Sequence, residues 1–261
     1  MRHAMRPVNL LKPLPLLVLL LLAACGTNTP PADPEPAPLV LRVVPGDVLS
    51  GQADTPYGFA LEATGIGATS KHATFRWAFA GRSHGQRTLK VVDGGVTTQV
   101  EESFPEPGVY GLVAAVEAGG RTATATAVIA IGDVEPEREV AMPSCGGWVT
   151  QRSGAYGVTV DRWDVSAVSD GAVFDLRFDT VGIPDRIVVA YPDGQVVHDT
   201  GWRGDARHAG DLYPGGIAGP KTGEALAVFA KDGVDEFVVT VFGPDRRTLW
   251  SYEVRCSVPE A

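Results

Sequence analysis

Basic residues are scarce in this chain, cysteines scarcer still, and no apolar run is long enough to cross a bilayer. The 22 Lys+Arg stand against 31 Asp+Glu, for a formal net charge of −9. Three of the positive charges (Arg2, Arg6 and Lys12) fall in the first 24 residues, which hold no acid. Everything after them therefore carries about −12. Phosphate contacts need clustered Lys and Arg, so nucleic acid is excluded as a partner. There are 3 Cys and 5 His, and no His lies near Cys145 or Cys256, which excludes a Cys/His zinc cluster. The longest apolar run, Leu14–Ala24, falls well short of the roughly 20 residues a spanning helix needs. Gly (31) and Pro (20) are abundant, which favours many short strands and turns over long helices. With 44% hydrophobic and 20% charged residues, a real core can form.

The first 25 residues, MRHAMRPVNLLKPLPLLVLLLLAAC, place a basic stretch before a short apolar core, the order of an export signal. The run Leu22-Ala-Ala-Cys25-Gly26 resembles the lipobox of bacterial lipoproteins. That resemblance implies a signal peptide over 1–24, cut before Cys25, and a diacylglycerol thioether on the Cys25 thiol. Two or three acyl chains, at about 0.8 kcal/mol per buried methylene, anchor firmly to a membrane. Gly26 is not the Asp that often retains such proteins at the inner membrane, so the expected location is the outer membrane or cell surface. Cys145 and Cys256 then remain, in an oxidising compartment. Pairing them would close a loop of about 110 residues and contribute roughly 4–5 kcal/mol in the loop-entropy model.

Residues 25–38 hold the lipidated Cys and a Pro-rich tether, GTNTPPADPEPAP, semi-rigid at about 3.1 Å per residue and roughly 40 Å in all. A polar stretch, Asp133-Val-Glu-Pro-Glu-Arg-Glu139, sets a linker over 133–143 between domains at 39–132 and 144–261. The first domain carries seven β-rich runs. Phe75-Arg-Trp-Ala-Phe79 shows the period-2 alternation of a half-buried strand. Seven short strands with Gly/Pro turns argue an Ig-like sandwich. Phe75–Gly81 and Phe104-Pro-Glu-Pro-Gly-Val-Tyr-Gly-Leu-Val113 resemble the Trp-x-Phe strand and the Pro-Gly-x-Tyr turn of PKD domains. The usual Gly-Asp-Gly after the first motif is replaced by Gly81-Arg-Ser-His-Gly85.

Residues 144–261 give about eight more strands. Pro184-Asp-Arg186, Asp193-Gly194 and Asp199-Thr-Gly-Trp202 resemble a β-sandwich module of bacterial surface and secreted proteins with a PDR…DTGW pattern, often closed by a disulfide. The expected fold is thus all-β, two tandem β-sandwiches, the first PKD- or Ig-like, after a signal peptide and tether.

Two motifs tempt an enzymatic reading. Gly81-Arg-Ser83-His84-Gly85 matches a nucleophile elbow, which requires a strand-turn-helix setting; here it joins two strands, and His84 is badly placed to serve Ser83. Asp199-Thr-Gly201 matches the aspartic-protease triplet, but Trp202 follows where a small residue is needed. The second half holds 13 Asp against four Glu. Turns prefer Asp, and so do hard oxygen sites for Ca²⁺. Candidate calcium ligands are Asp179, Asp185, Asp199 and Asp205, with His198 and His208 as further metal candidates. Four Trp and three Tyr of this half, including Trp148 and Tyr156, could form a stacking surface. Trp202 and Tyr213, which border the long segment 201–223, are the expected exposed pair.

These readings point to a lipid-anchored cell-envelope protein. It would lack catalytic activity and use its modules to bind envelope glycan or protein. A structural scaffold or spacer without a small ligand is the alternative, and a hydrolase belongs to a third class. No cofactor is required beyond the possible Ca²⁺.

Overall fold

The computed structural model describes residues 37–80, 82–133 and 137–258. The expected signal peptide, Cys25 and most of the tether lie outside the described residues, as does Gly81 of the Gly-x-Ser-x-Gly motif.

The N-terminal half holds β1 (Val40–Val44), β2 (Val48–Gly51), β3 (Pro56–Thr64), β4 (His72–Phe79), β5 (His84–Lys90), β6 (Val96–Ser103), β7 (Gly108–Ala118) and β8 (Arg121–Ile131). They form a three-stranded sheet, β1-β3-β6, and a five-stranded sheet, β2-β8-β7-β4-β5. Phe59 and Leu61 of the first sheet meet Phe75, Phe79, Leu112, Val116 and Ile129 of the second in one core. The C-terminal half holds β9 (Glu137–Ala141), β10 (Val149–Gly154), β11 (Gly157–Asp164), β12 (Val173–Asp179), β13 (Asp185–Ala190), β14 (Val196–Arg203), β15 (Ile217–Gly219), β16 (Thr222–Ala230), β17 (Glu236–Gly243) and β18 (Trp250–Ser257). Here a six-stranded sheet, β15-β14-β13-β17-β11-β9, packs on a four-stranded one, β10-β18-β12-β16. The fold is all-β, two tandem sandwiches. Among the described residues no helix is long and apolar enough to cross a membrane.

Period-2 patterning explains the strands. In β12, Phe174, Leu176 and Phe178 enter the core while Asp175, Arg177 and Asp179 point away from it. In β17, Phe237, Val239 and Val241 do the same. The second core also holds a polar chain: Trp163 Nε1 donates to the Tyr252 hydroxyl (3.1 Å), which donates to Asp161 (2.5 Å). Arg138 closes the chain with two bonds to the Asp161 carboxylate, at 2.7 and 3.0 Å. Asp161 is fully buried, and such a charge is tolerable only when paired in this way.

Arg138 belongs to β9, which the sequence reading left inside the 133–143 linker. Residues 137–141 instead run parallel to β11 as an edge strand of the second sandwich. Val140 and Met142 enter the core, while Glu137 takes an ion pair with Arg162 on the neighbouring strand. Of the charged residues that suggested a linker, Glu137 and Glu139 face Arg162 while Arg138, on the side of Val140, reaches the buried Asp161.

The two sandwiches stack sheet on sheet. Outward-facing Val113 and Val128 of the five-stranded sheet meet Val160, Val188 and Phe242 of the six-stranded sheet in a third apolar cluster. The layer order is therefore three, five, six and four strands. Gly111 sits at the tightest point: a Cβ there would come within 2.7 Å of both Phe242 and Val158. Replacing Gly111 by Leu should overpack this seam and destabilise the protein by about 1–3 kcal/mol. Scanning calorimetry should record a fall of several degrees in Tm; an unchanged Tm would show that the sheets are not pressed together there.

Candidate binding site

The seam sets the environment of most residues the sequence brought forward. Trp202 and Tyr213 do come together, edge to face at 5.4 Å, but they are 2% and 5% exposed. Trp202 Nε1 donates to the Pro214 carbonyl at 3.0 Å. The expectation of an exposed pair fails because the first sandwich covers the outer face of the sheet that carries Trp202. Burial pushes the Tyr213 hydroxyl up to about 12, with the Asp245 and Asp185 carboxylates adding to it.

The PDR…DTGW residues form the frame of the same sheet. Arg186, 2% exposed, grips Asp199 with two nitrogens and reaches across the seam to the Thr124 hydroxyl at 2.9 Å. Asp199 also accepts from the Gly201 amide (2.8 Å), whose φ of +61° turns the chain there. The Thr200 hydroxyl accepts from the Ile187 amide at 3.0 Å. Asp185 is fully buried and takes the Thr248 hydroxyl at 2.7 Å. Burial raises its pKa to about 8, with Asp245 adding to the rise and Thr248 opposing it.

Each aspartate expected as a calcium ligand has a protein partner in this structure. Asp179 caps the Val181 amide (2.7 Å), Asp205 pairs with Arg207 (3.0 Å), and Asp185 and Asp199 serve the frame. Among the described residues no three His, Cys, Asp or Glu are grouped to hold a metal. His198 is pushed below its ordinary pKa by burial, and His208 lies beside Arg207. Cys145 and Cys256 are joined in a disulfide.

At the end of the seam where β11 begins, a cleft of about 580 Å³ opens between the sandwiches. Its first wall carries Arg82 and Ser83 from the β4–β5 turn, Glu102 from β6, and Glu106 and Tyr110 at the start of β7. Tyr156, before β11, and Arg246, after β17, form the second. Each tyrosine faces a guanidinium: Arg82 lies 5.8 Å from the Tyr110 ring centre and Arg246 5.1 Å from that of Tyr156. Arg82 also reaches Glu102 (3.7 Å) and donates to the Ser103 carbonyl (3.0 Å). Ser83 gives its hydroxyl to Glu102. Tyr110 donates to the Glu106 carbonyl at 2.8 Å and stacks against Phe104 at 4.6 Å. Its pKa is raised, chiefly by desolvation, with Arg82 opposing and Glu106 and Tyr156 adding. His84 turns from Ser83 to Asp211, 3.4 Å away on the long loop of the second sandwich.

The sequence reading missed this cleft as a site. It named Tyr110 only within the Pro-Gly-x-Tyr turn, where the ring packs against the first core, and Tyr156 only among several aromatics.

The Asp185 carboxyl holds its proton more tightly folded than unfolded, so the stability it contributes is complete below about pH 4 and lost as pH rises through about 8. Asp185→Asn cannot ionise and should flatten that part of the profile. Urea midpoints from pH 4 to 9 check this: the parent should lose stability with a steeper slope than the variant, and identical slopes would show that Asp185 does not titrate there.

No family model matches the chain, and no curated protein does. Solved structures give distant likenesses. The CARDB domain of a Pyrococcus furiosus protein, in complex with di-metal ions, is 11% identical, with 39% of this chain and 100% of that chain covered, at a TM-score of 0.28. The SGBP-B protein of the Bacteroides ovatus mixed-linkage glucan utilization locus, in complex with mixed-linkage heptasaccharide, is 8% identical over 82% of this chain and 52% of that one, at 0.23. A native alfa-L-rhamnosidase from Aspergillus terreus is 10% identical over 83% of this chain and 27% of its own, also at 0.23. The sandwich architecture rests on the sheets and cores described above.

Proposed function

We propose that this chain is a non-catalytic binding protein of the bacterial envelope, tethered by a lipid on Cys25, and that the seam cleft takes an envelope glycan. The observation that carries the reading is a tyrosine paired with an arginine on each wall of one cleft, Tyr110 with Arg82 and Tyr156 with Arg246. Sugars present apolar C–H faces and a rim of hydroxyls. Tyrosine rings supply stacking area with a polar tip, while guanidinium and carboxylate groups supply donors and acceptors in fixed directions. Two rigid sandwiches forming the walls limit the ordering cost of binding.

The absence of catalysis is part of the proposal, and three contacts support it. The Ser83 hydroxyl is committed to Glu102, which Arg82 also engages. His84 is turned to Asp211. Asp199 is held by the nearly buried Arg186.

Retention of the detergent-solubilised full chain on purified peptidoglycan and on lipopolysaccharide tests the reading. Tyr156→Ala and Arg246→Ala should each weaken retention on the glycan that binds by about tenfold, the equivalent of 1.4 kcal/mol. The glycan should be recovered uncleaved. Equal retention of parent and variants, or a cleaved product, would overturn the proposal. Cys25→Ala should move the protein from the membrane fraction to the soluble one.

A further inference from the structure

The four-stranded sheet of the second sandwich turns its outer face away from every other layer. Asp175, Arg177 and Asp179 of β12 and Ser251, Glu253 and Arg255 of β18 occupy it, in a register that sets Arg177 opposite Glu253 and Asp175 opposite Arg255. Their charges cross-link: Arg177 donates to Glu253 (2.8 Å), and Arg255 binds Asp175 (2.7 Å) and Glu224 of β16 (3.4 Å). Trp148 lies against this ladder. Its ring has the Arg177 guanidinium at 4.5 Å and that of Arg255 at 4.6 Å, both rising from the same face of the sheet.

The placement of Trp148 follows from the disulfide. Cys145 is bonded to Cys256, next to Arg255 on β18, and the Gly146 amide donates to the Cys256 carbonyl at 3.2 Å. One residue beyond the indole, Val149 pairs with Val254. The segment 145–149 is thus fastened to β18 at both ends, with Trp148 between the fastenings. Gly146 and Gly147 leave the approach bare: a Cβ at either would meet nothing within 4 Å. A shallow trough of about 560 Å³ runs across the same sheet, lined by Arg177, Asp179, Thr222, Glu224, Ser251 and Glu253.

We infer that this face is a second glycan site, in which a polysaccharide lies along the trough with one ring stacked on Trp148, and that the disulfide holds the indole in position. The ligand is a neutral polymer. Both arginines are engaged by carboxylates, and the face carries Asp175, Asp179, Glu224 and Glu253 against only Arg177 and Arg255, so an acidic polymer is repelled. A ring resting on two guanidiniums is held rigid by cation–π contacts and loses little freedom when a sugar covers it. The site stands in the layer farthest from the three-stranded sheet, and it does not rest on the seam cleft.

The test is affinity electrophoresis of the detergent-solubilised full chain in gels containing soluble neutral β-glucan, neutral mannan or acidic polygalacturonate. The parent should be retarded by a neutral polymer and not by polygalacturonate. Trp148→Ala should weaken that binding by about tenfold with Tm unchanged, Trp148→Phe should keep most of it, and Tyr156→Ala should leave it intact. A Cys145→Ser/Cys256→Ser variant that remains folded by circular dichroism should bind as weakly as Trp148→Ala. Retardation by neither neutral polymer would overturn the site, as would full affinity in Trp148→Ala. Retention on polygalacturonate lost in Trp148→Ala would overturn the assignment to a neutral polymer. A folded, disulfide-free variant with parental affinity would overturn the role of the disulfide.

Discussion

Two sheets that would each show a polar outer face in an isolated sandwich bury those faces against each other. Val113 and Val128 on one side and Val160, Val188 and Phe242 on the other are withdrawn from water in the middle of the molecule. Much of the chemistry nearby follows from that withdrawal. An arginine placed there has to be paired, and Arg186 finds Asp199 and Thr124. A tryptophan placed there gives its N–H to a loop carbonyl, and the loop closes over it. The same packing brings the turns at 82–83 and 246 to the two sides of one cleft.

Strand positions were largely legible because period-2 alternation is a local property. The runs around Phe75, Phe174 and Phe237 announce which residues face the core of their own sandwich. The chain says much less about the other face. Val188 and Val238 alternate with core residues, as the outward residues of any strand do, and nothing within a few residues reveals that a second domain will cover them. Trp202 and Tyr213, read as an exposed pair because they border a long loop, proved to be interior under that same cover. The edge strand β9 was hidden by the opposite effect: Glu137, Arg138 and Glu139 carry the polarity of a linker, and only Val140 and Met142 betray the strand.

The candidate cleft was illegible for a related reason. Its walls come from turns far apart in sequence, and each contributes only one to three of the relevant side chains. The pairing of Cys145 with Cys256 was legible, since the lipobox reading of Cys25 left two thiols and a single intramolecular bond. The PDR…DTGW residues belong between these cases. They read together as a group, and they do act together, but as a frame made of an ion pair, a buried carboxyl and a threonine that locks two strands.

The order of strands in the last layer has a consequence for the time course of assembly. The four-stranded sheet runs β10-β18-β12-β16, so the last of the described strands fills a gap between two earlier ones. Until β18 arrives, β10 has no partner and the core lacks Trp250, Tyr252 and Val254. A chain emerging from its N-terminus can complete the first sandwich early, because all eight of its strands lie before residue 132. The second must wait for β18, with its apolar strands uncovered in the meantime. Any guard against aggregation has to act on β11 to β17 in the interval before β18 emerges.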